Sequence, residues 1–404
     1  MLPLIAWKNI WRSKRRSLIM MTAVALGLWG GLVAVGIFSG MYDAMVNSAI
    51  DRDLGHIQVH AKGFREDRLI SMTIPDPADA ARRILTVPGV QAVSQRTIVE
   101  GMGSSATSSQ GVKIVGIAPE AERSVSAVAR RMVGGAYFEG GERIPVVIGR
   151  KLAEKLGLKV RGKLVLSFQR PDGTIVYGAF RIVGLFDTES TLFDETTIFV
   201  RQDELDGLLG THLIHELAVR LATNDSLSTA MGHLTRLFPG LQVDTWQDLA
   251  PEMKLIAESS GITNAVFLAI ILLALLFGIT NTMLMSVLDR VREFGVLMAV
   301  GMKRRRIFMM IILETLFLSI TGSVAGTLLG AVTVAWAGRT GIDLRWVSEG
   351  LSQYGISTML YPVAHPSIYP TLGVMVVVAA VIAALYPAMK AVRLNPASAI
   401  STFG

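Results

Sequence analysis

Asn281–Glu314, NTMLMSVLDRVREFGVLMAVGMKRRRIFMMIILE, joins two long apolar segments through a short basic connection. Between the segments lie Arg290, Arg292, Lys303, Arg304, Arg305 and Arg306, against only Asp289 and Glu293. Each Lys or Arg at a bilayer centre costs roughly 2.5–3.5 kcal/mol on insertion scales, so such a cluster is expected to stay on the cytoplasmic side. Within it, Val291, Phe294, Val296, Leu297, Val300 and Met302 recur at spacings that a helix gathers on one side. The stretch is therefore expected to form an amphipathic helix lying against the membrane surface or a partner.

Composition agrees with a membrane chain. Of 404 residues, 51% are hydrophobic and only 18% charged, too apolar for an ordinary soluble protein of this length. The formal charge of +7 could suggest nucleic acid. The cations concentrate at the ends of apolar runs, however, which membrane orientation explains and nucleic-acid binding does not. There is no cysteine, which excludes disulfides, thiol chemistry and a lipid-modified N-terminal cysteine.

Outward from the opening stretch, the expected fold is an α-helical membrane protein with four transmembrane helices and a large α+β extracytoplasmic domain inserted between helices 1 and 2. Residues 1–17 carry Lys8, Arg12, Lys14, Arg15 and Arg16, with Trp7 and Trp11 a helical turn apart, and read as a cytoplasmic amphipathic helix. Residues 18–41 form a charge-free first span, long enough for the roughly 30 Å hydrocarbon core. A signal peptide would have a shorter apolar region and a small-x-small cleavage site. Residues 42–260 have the character of a soluble domain on the outer side. A core subdomain (about 42–118 and 211–250) is expected to be interrupted by a more β-rich insertion (about 119–210), in which Arg170-Pro171-Asp172-Gly173 turns a hairpin. Residues 261–288 are the second span, 289–306 the cytoplasmic segment, 307–337 the third span and 338–370 an outer loop with Trp346, Tyr354, Tyr361 and Tyr369. The fourth span, 371–389, leads to a cytoplasmic tail, 390–404, beginning with Lys390 and Arg393. Gly27 and Gly31 in the first span, and Gly322, Gly326 and Gly330 in the third, have the small-xxx-small spacing that lets helices approach closely in lipid. Glu314, about two turns past Arg306, pairs with a cation near the helix start or serves in transmitting motion.

Motifs for chemistry fail on inspection. Gly157–Lys163 (GLKVRGK) starts like a phosphate-binding loop, but Leu164 stands where a Ser or Thr must reach magnesium, and a strand follows instead of a helix. Gly101, Gly103 and Ala106 resemble a dinucleotide fingerprint but are read as part of a flexible loop. His56 and His60 would be about 13 Å apart on a strand, which is expected to present them on a solvated face. His215-Glu216 begins a zinc-protease motif without its second histidine, and no nucleophile elbow occurs. No catalytic residue, metal ligand or cofactor is expected in this chain.

One span, a large outer domain and three further spans together resemble the FtsX-like permeases of ABC transporters, the group of lipoprotein-releasing and macrolide-exporter-type membrane subunits. Arg292–Met302, REFGVLMAVGM, is similar to the family's "REIGILRALGA", departing at Met298 where Arg is frequent. Trp7–Ile19 (WKNIWRSKRRSLI) and Leu385–Ile400 (LYPAMKAVRLNPASAI) resemble its opening and close. VGGAYF from Val133, VVIGRKLAEKLGL from Val146 and FRIVGLF from Phe180 resemble its inserted subdomain. GHIQVH from Gly55 and KIVGIAPEAE from Lys113 are similar to the lipoprotein-releasing branch.

The resemblance implies a permease subunit in the cell inner membrane, termini cytoplasmic and large domain periplasmic, working by mechanotransmission. ATP and magnesium would sit on a separate ABC ATPase subunit docked on Arg290, Arg292, Glu293, Phe294, Gly295, Gly301, Lys303, Arg304, Arg305 and Arg306. A second permease subunit, membrane lipids and a periplasmic lipoprotein carrier or membrane-fusion partner complete the implied set, without nucleic acid. Lipoprotein release or related export leads. Macrolide or peptide efflux, and a non-transporting adaptor regulating an extracytoplasmic hydrolase or sensor, stay open.

Overall fold

The computed structural model describes residues 2–12, 14–139, 143–347, 350 and 358–393. Tyr354 and the tail beyond Arg393, with Pro396 of the closing motif, lie outside the described residues. The chain divides into a helical unit (Met1–Tyr42, Ala257–Asp343, Met359–Gly404) and a mixed unit (Asp43–Ile256, Leu344–Thr358). It begins with α1 (Leu2–Arg12) and α2 (Lys14–Ala49), which continues as a π turn over Ile50–Leu54.

The mixed unit is built on one sheet. In chain order its elements are β1 (Ile57–Ala61), α3 (Phe64–Asp67), α4 (Pro77–Leu85), β2 (Val90–Ser104), β3 (Ser109–Ile117), α5 (Pro119–Val125), β4 (Met132–Gly135), β5 (Pro145–Gly149) and α6 (Arg150–Leu156). Then come β6 (Lys163–Gln169), β7 (Ile175–Phe186), α7 (Thr191–Thr196), β8 (Thr197–Arg201), α8 (Gln202–Leu209), β9 (Glu216–Leu221), α9 (Leu227–Leu237), β10 (Leu241–Thr245) and α10 (Trp246–Leu249). The strand order is β10-β1-β9-β2-β3-β8-β5-β7-β4, with β6 pairing both β2 and β7. Only β3–β8 and β5–β7 are parallel among these pairs.

The sheet runs without a break through the boundary expected near Pro119, because β2 is long enough to serve both sides. Its first half pairs with β9 and its second half with β3 and β6. Two apolar cores nevertheless form. One lies under α4 and α9 around Ile57, Ile84, Leu217 and Leu234, the other around Ile114, Ile148, Leu166, Phe180 and Ile198.

Two local expectations are corrected. Gly101 and Gly103 sit inside β2, and the expected loop is confined to residues 105–108 at the tip of the β2–β3 hairpin; a side chain at Gly101 would collide with the Ser167 carbonyl of β6. His56 and His60 are buried with Gln58, because β1 lies between β10 and β9 and Phe64 of α3 covers its face. The Phe64 ring stacks on His60 and His215 with centroids 5.7 and 5.1 Å apart.

Chain continuity leads next to α11 (Pro251–Asp289), α12 (Val291–Ala299), α13 (Arg304–Thr340), the short pair β11 (Ile342–Asp343) and β12 (Met359–Leu360), and α14 (Ile368–Val392). Helices α2, α11, α13 and α14 are each long and apolar enough to cross a membrane. In the helical unit, α13 lays its glycine stripe on α2. A Cβ at Gly322, Gly326 or Gly330 would fall 2.9 Å from Met21 O, 2.6 Å from Ala25 O or 2.6 Å from Leu32 Cδ1. The spacing thus brings two backbones of the same chain together, as small residues do in lipid. Gly27 faces Leu275 of α11, and Gly31 faces Ile271.

α14 contains Pro387, which has no N–H for the Ala383 carbonyl one turn earlier. Thr280 Oγ1 of α11 donates to that carbonyl at 3.2 Å, supplying the hydrogen bond that a bilayer interior could not.

Candidate functional site

The basic connection folds as a helical hairpin with a short helix at its tip. α11 ends at Asp289, Arg290 leads into α12, and the chain turns at Gly301 with φ +99°, a conformation that side chains disfavour. Gly301 N donates to Met298 O at 3.1 Å and Met302 N to Leu297 O at 2.9 Å, closing the C-terminus of α12. Lys303 is extended, and α13 begins at Arg304.

The candidate residues separate into two layers. Inside, Arg290 donates through Nη1 to both Glu314 oxygens at 3.0 and 3.3 Å and through Nε to Glu293 Oε2 at 3.0 Å. Its guanidinium lies 5.2 Å from the Phe294 ring centroid. Phe294 and Gly295 are buried, and Glu314 is 4% exposed. Glu314 therefore ties the start of the tip helix to the third long helix, nearly three turns beyond that helix's start. Arg12 of α1 adds an exposed pair to Glu293 at 2.7 Å, and Arg16 of α2 pairs with Asp289 at 3.2 Å. Both acidic residues of the connection are thus engaged within the chain.

Outside, Arg292, Lys303, Arg304, Arg305 and Arg306 are exposed, and among the described residues none has a carboxylate partner. Val296 and Val300, one turn apart, are exposed at 50% and 84%. The expected single apolar face is thereby corrected: Phe294 turns into the helical core, whereas Val296 and Val300 form an outward ridge beside the cations. Of the ten residues expected to contact a partner, Phe294 and Gly295 are buried against their own chain, and Arg290 is mostly occupied there. Apolar residues lie on both the buried and the exposed side of this short helix, so periodicity alone could not divide them.

The mixed unit has a second charge cluster that sequence spacing did not reveal. Arg96 on β2 donates to Glu122 Oε2 and Oε1 at 2.9 and 2.6 Å and to Glu216 Oε1 at 2.7 Å. All three are buried. Burial raises the Glu122 carboxyl, but the Arg96 guanidinium outweighs it and holds the group below the usual range. The partners are separated by 26 and 120 residues, which leaves no local signal.

His215 is likewise structural. Its Nδ1 accepts from Ile98 N at 3.1 Å, its Nε2 lies 2.9 Å from Ile70 O, and burial lowers its pKa. A cavity of about 230 Å³ beside Arg96 is lined by His60, Phe64, Phe199 and Glu216 among others. Among the described residues no group of three or more His, Cys, Asp or Glu side chains gathers as a metal site. The loop from Gly157 leads through Arg161 into β6, without the helix that phosphate binding by such a loop requires.

Known proteins resemble both units. Residues 17–237 match the family model of the MacB-like periplasmic core domain, and residues 265–396 that of the FtsX-like permease C-terminal domain. The macrolide export ATP-binding/permease protein MacB of Brucella abortus (strain 2308) is 25% identical over 408 residues, 96% of this chain and 58% of that protein. The chain thus spans little more than half the length of that relative. The lipoprotein-releasing system transmembrane protein LolC of Xylella fastidiosa (strain 9a5c) is 21% identical over 425 residues, 96% of each chain. The periplasmic region of MacB from Actinobacillus actinomycetemcomitans overlays 51% of this chain and 94% of its own, at 10% identity and a TM-score of 0.36. The chain belongs to the FtsX-like ABC transporter permeases of the MacB and LolC type, which carry a MacB-like periplasmic core domain.

Proposed function

We propose that the chain works by mechanotransmission, its tip helix α12 receiving a separate ABC ATPase on the cytoplasmic side and its long helices passing the movement to the mixed unit in the periplasm. The observation that carries this reading is the outward layer: an apolar ridge, Val296 and Val300, among five exposed cations that have no carboxylate partner among the described residues. A ridge with a basic rim suits a protein cleft with an acidic lip, and the rim would steer the encounter. Behind it, the Arg290–Glu314 pair links the tip to the span. ATP and magnesium would be held by the partner.

The preferred cargo class is lipoproteins released from the inner membrane. Support comes from the lipoprotein-releasing relative, which matches over 96% of this chain and 96% of its own length. Macrolide or peptide efflux is the second reading, favoured by the export relative that covers 96% of this chain. A second permease subunit would pack on the largely unburied faces of α11 and α14. The test is co-purification with the ATPase, with and without Arg304→Glu, Arg305→Glu and Arg306→Glu together. The triple reversal should lose the complex and the stimulation of ATP hydrolysis while the chain still inserts and folds. Retention of both would refute the docking assignment.

A further inference from the structure

Residues 43–54, the last turns of α2 and the segment after them, belong to the mixed unit. There the chain leaves the α-helix through a π turn, Ile50–Leu54, which Gly55 N closes by donating to Ile50 O at 3.0 Å. Single π turns are rare and persist where their surroundings hold them. Here the holding groups are explicit. Arg96 Nη1 donates to Asp53 O at 2.5 Å, Ala127 N to Asp51 O at 2.5 Å, and Gln58 Nε2 to Leu54 O at 3.0 Å. The Asp51 carboxylate pairs with Arg220 of β9. Arg96 is itself fixed by Glu122 and Glu216, so the turn's carbonyls are bonded to β2, to β1 and to the segment after α5, and its Asp51 carboxylate to β9.

We propose that Ile50–Leu54 is a rigid joint that makes the end of the first long helix a fixed handle of the sheet, with Arg96 and the Asp51–Arg220 pair as its positioning residues. A flexible connection would absorb a displacement of the helix within its own conformational freedom. A turn whose carbonyls are hydrogen-bonded to three elements passes the displacement to all of them. The joint deepens the mechanical reading and rests on it for its purpose, whereas its rigidity is a property of the mixed unit alone.

The test uses the full chain in lipid nanodiscs without an ATPase. Because the chain has no cysteine, nitroxides can be placed at Asn47→Cys and Thr235→Cys, both exposed positions of the mixed unit. Pulsed electron resonance should give one narrow distance distribution. Asp51→Arg should broaden it, and Asp51→Arg with Arg220→Asp should restore it, with the thermal unfolding of the sheet unmoved. Should Asp51→Arg fail to fold, Asp51→Asn with Arg220→Gln is read in the same way. A broad distribution in the parent, or an unchanged one in the unpaired variant, overturns the joint and leaves ATPase docking untouched. Failure of the ATPase to dock leaves this distribution as it is.

Discussion

Two arginines hold two glutamates each, in two different environments. Arg96 sits inside the mixed unit with Glu122 and Glu216, and all three are shut away from water. Arg290 sits at the rim of the helical unit, where Glu314 is buried but Glu293 reaches the surface and is shared with Arg12. The first is a permanent tie: separating it would strand charges in a low-dielectric interior. The second is a tie with one end in solvent, so its geometry can change while its charges stay hydrated. A static anchor belongs where strands meet, and a yielding one suits the tip on which we propose that an ATPase acts.

The largest expected effect is therefore Arg96→Met, which leaves two buried carboxylates without their cation. It should lower the stability of the mixed unit by about 3–5 kcal/mol, read by chemical denaturation. Arg290→Met should cost less, about 2–3 kcal/mol, because that site opens toward water. If Arg290→Met proved the costlier, the distinction between the two ties would collapse.

A pH prediction comes next. Burial, then Arg220, lowers His56 to about 4 from its ordinary 6.5, and its Nδ1 accepts from Leu221 N at 3.3 Å, as a neutral ring does. The unfolded chain takes up the proton first as pH falls, so stability is lost from about 6.5 down to about 4, by at most about 3 kcal/mol. Asp194 acts in the opposite sense. Burial pushes its carboxyl up to about 7, against hydrogen bonds from Thr188, so its contribution is present at low pH and lost as pH rises toward 7. His56→Gln should flatten the acid limb of a stability–pH curve, and Asp194→Asn should flatten the neutral one. An acid limb unchanged in His56→Gln would place that loss elsewhere.

The smallest effect is expected for Arg12→Gln. Its pair with Glu293 is exposed, so the change should cost no more than about 1 kcal/mol and fade in salt. A larger loss would mean that α1 is a working part of the tip.

The two regions also differ in how far the sequence disclosed them. The spans were legible because a bilayer demands long uncharged runs, and the connection because cations gather where the chain must turn back in water. The glycine stripe at 322, 326 and 330 announced close contact, though not that α2 of the same chain supplies it. The β6–β7 hairpin of the mixed unit was legible from its turn, Pro171-Asp172-Gly173. The Arg96 cluster was not, because its members come from β2, α5 and β9 and meet only through sheet order. The histidines were misplaced for a related reason: HIQVH alternates like a half-exposed strand, but a strand with neighbours on both edges and Phe64 over one face has no solvated side. In α12, the family-like sequence marked the helix without separating Phe294, which faces inward, from Val296 and Val300, which face out.

What meets that outward ridge decides whether α12 is the docking helix. A single cysteine at Val300, the most exposed residue of the ridge, can carry a short photo-crosslinker in inside-out membrane vesicles. The reagent should reach this position from the cytoplasmic side and cross-link to the ATPase subunit, and prior assembly with the ATPase should protect it. Labelling only from the outer side, or cross-linking to lipid alone in the presence of the ATPase, would contradict that role of α12.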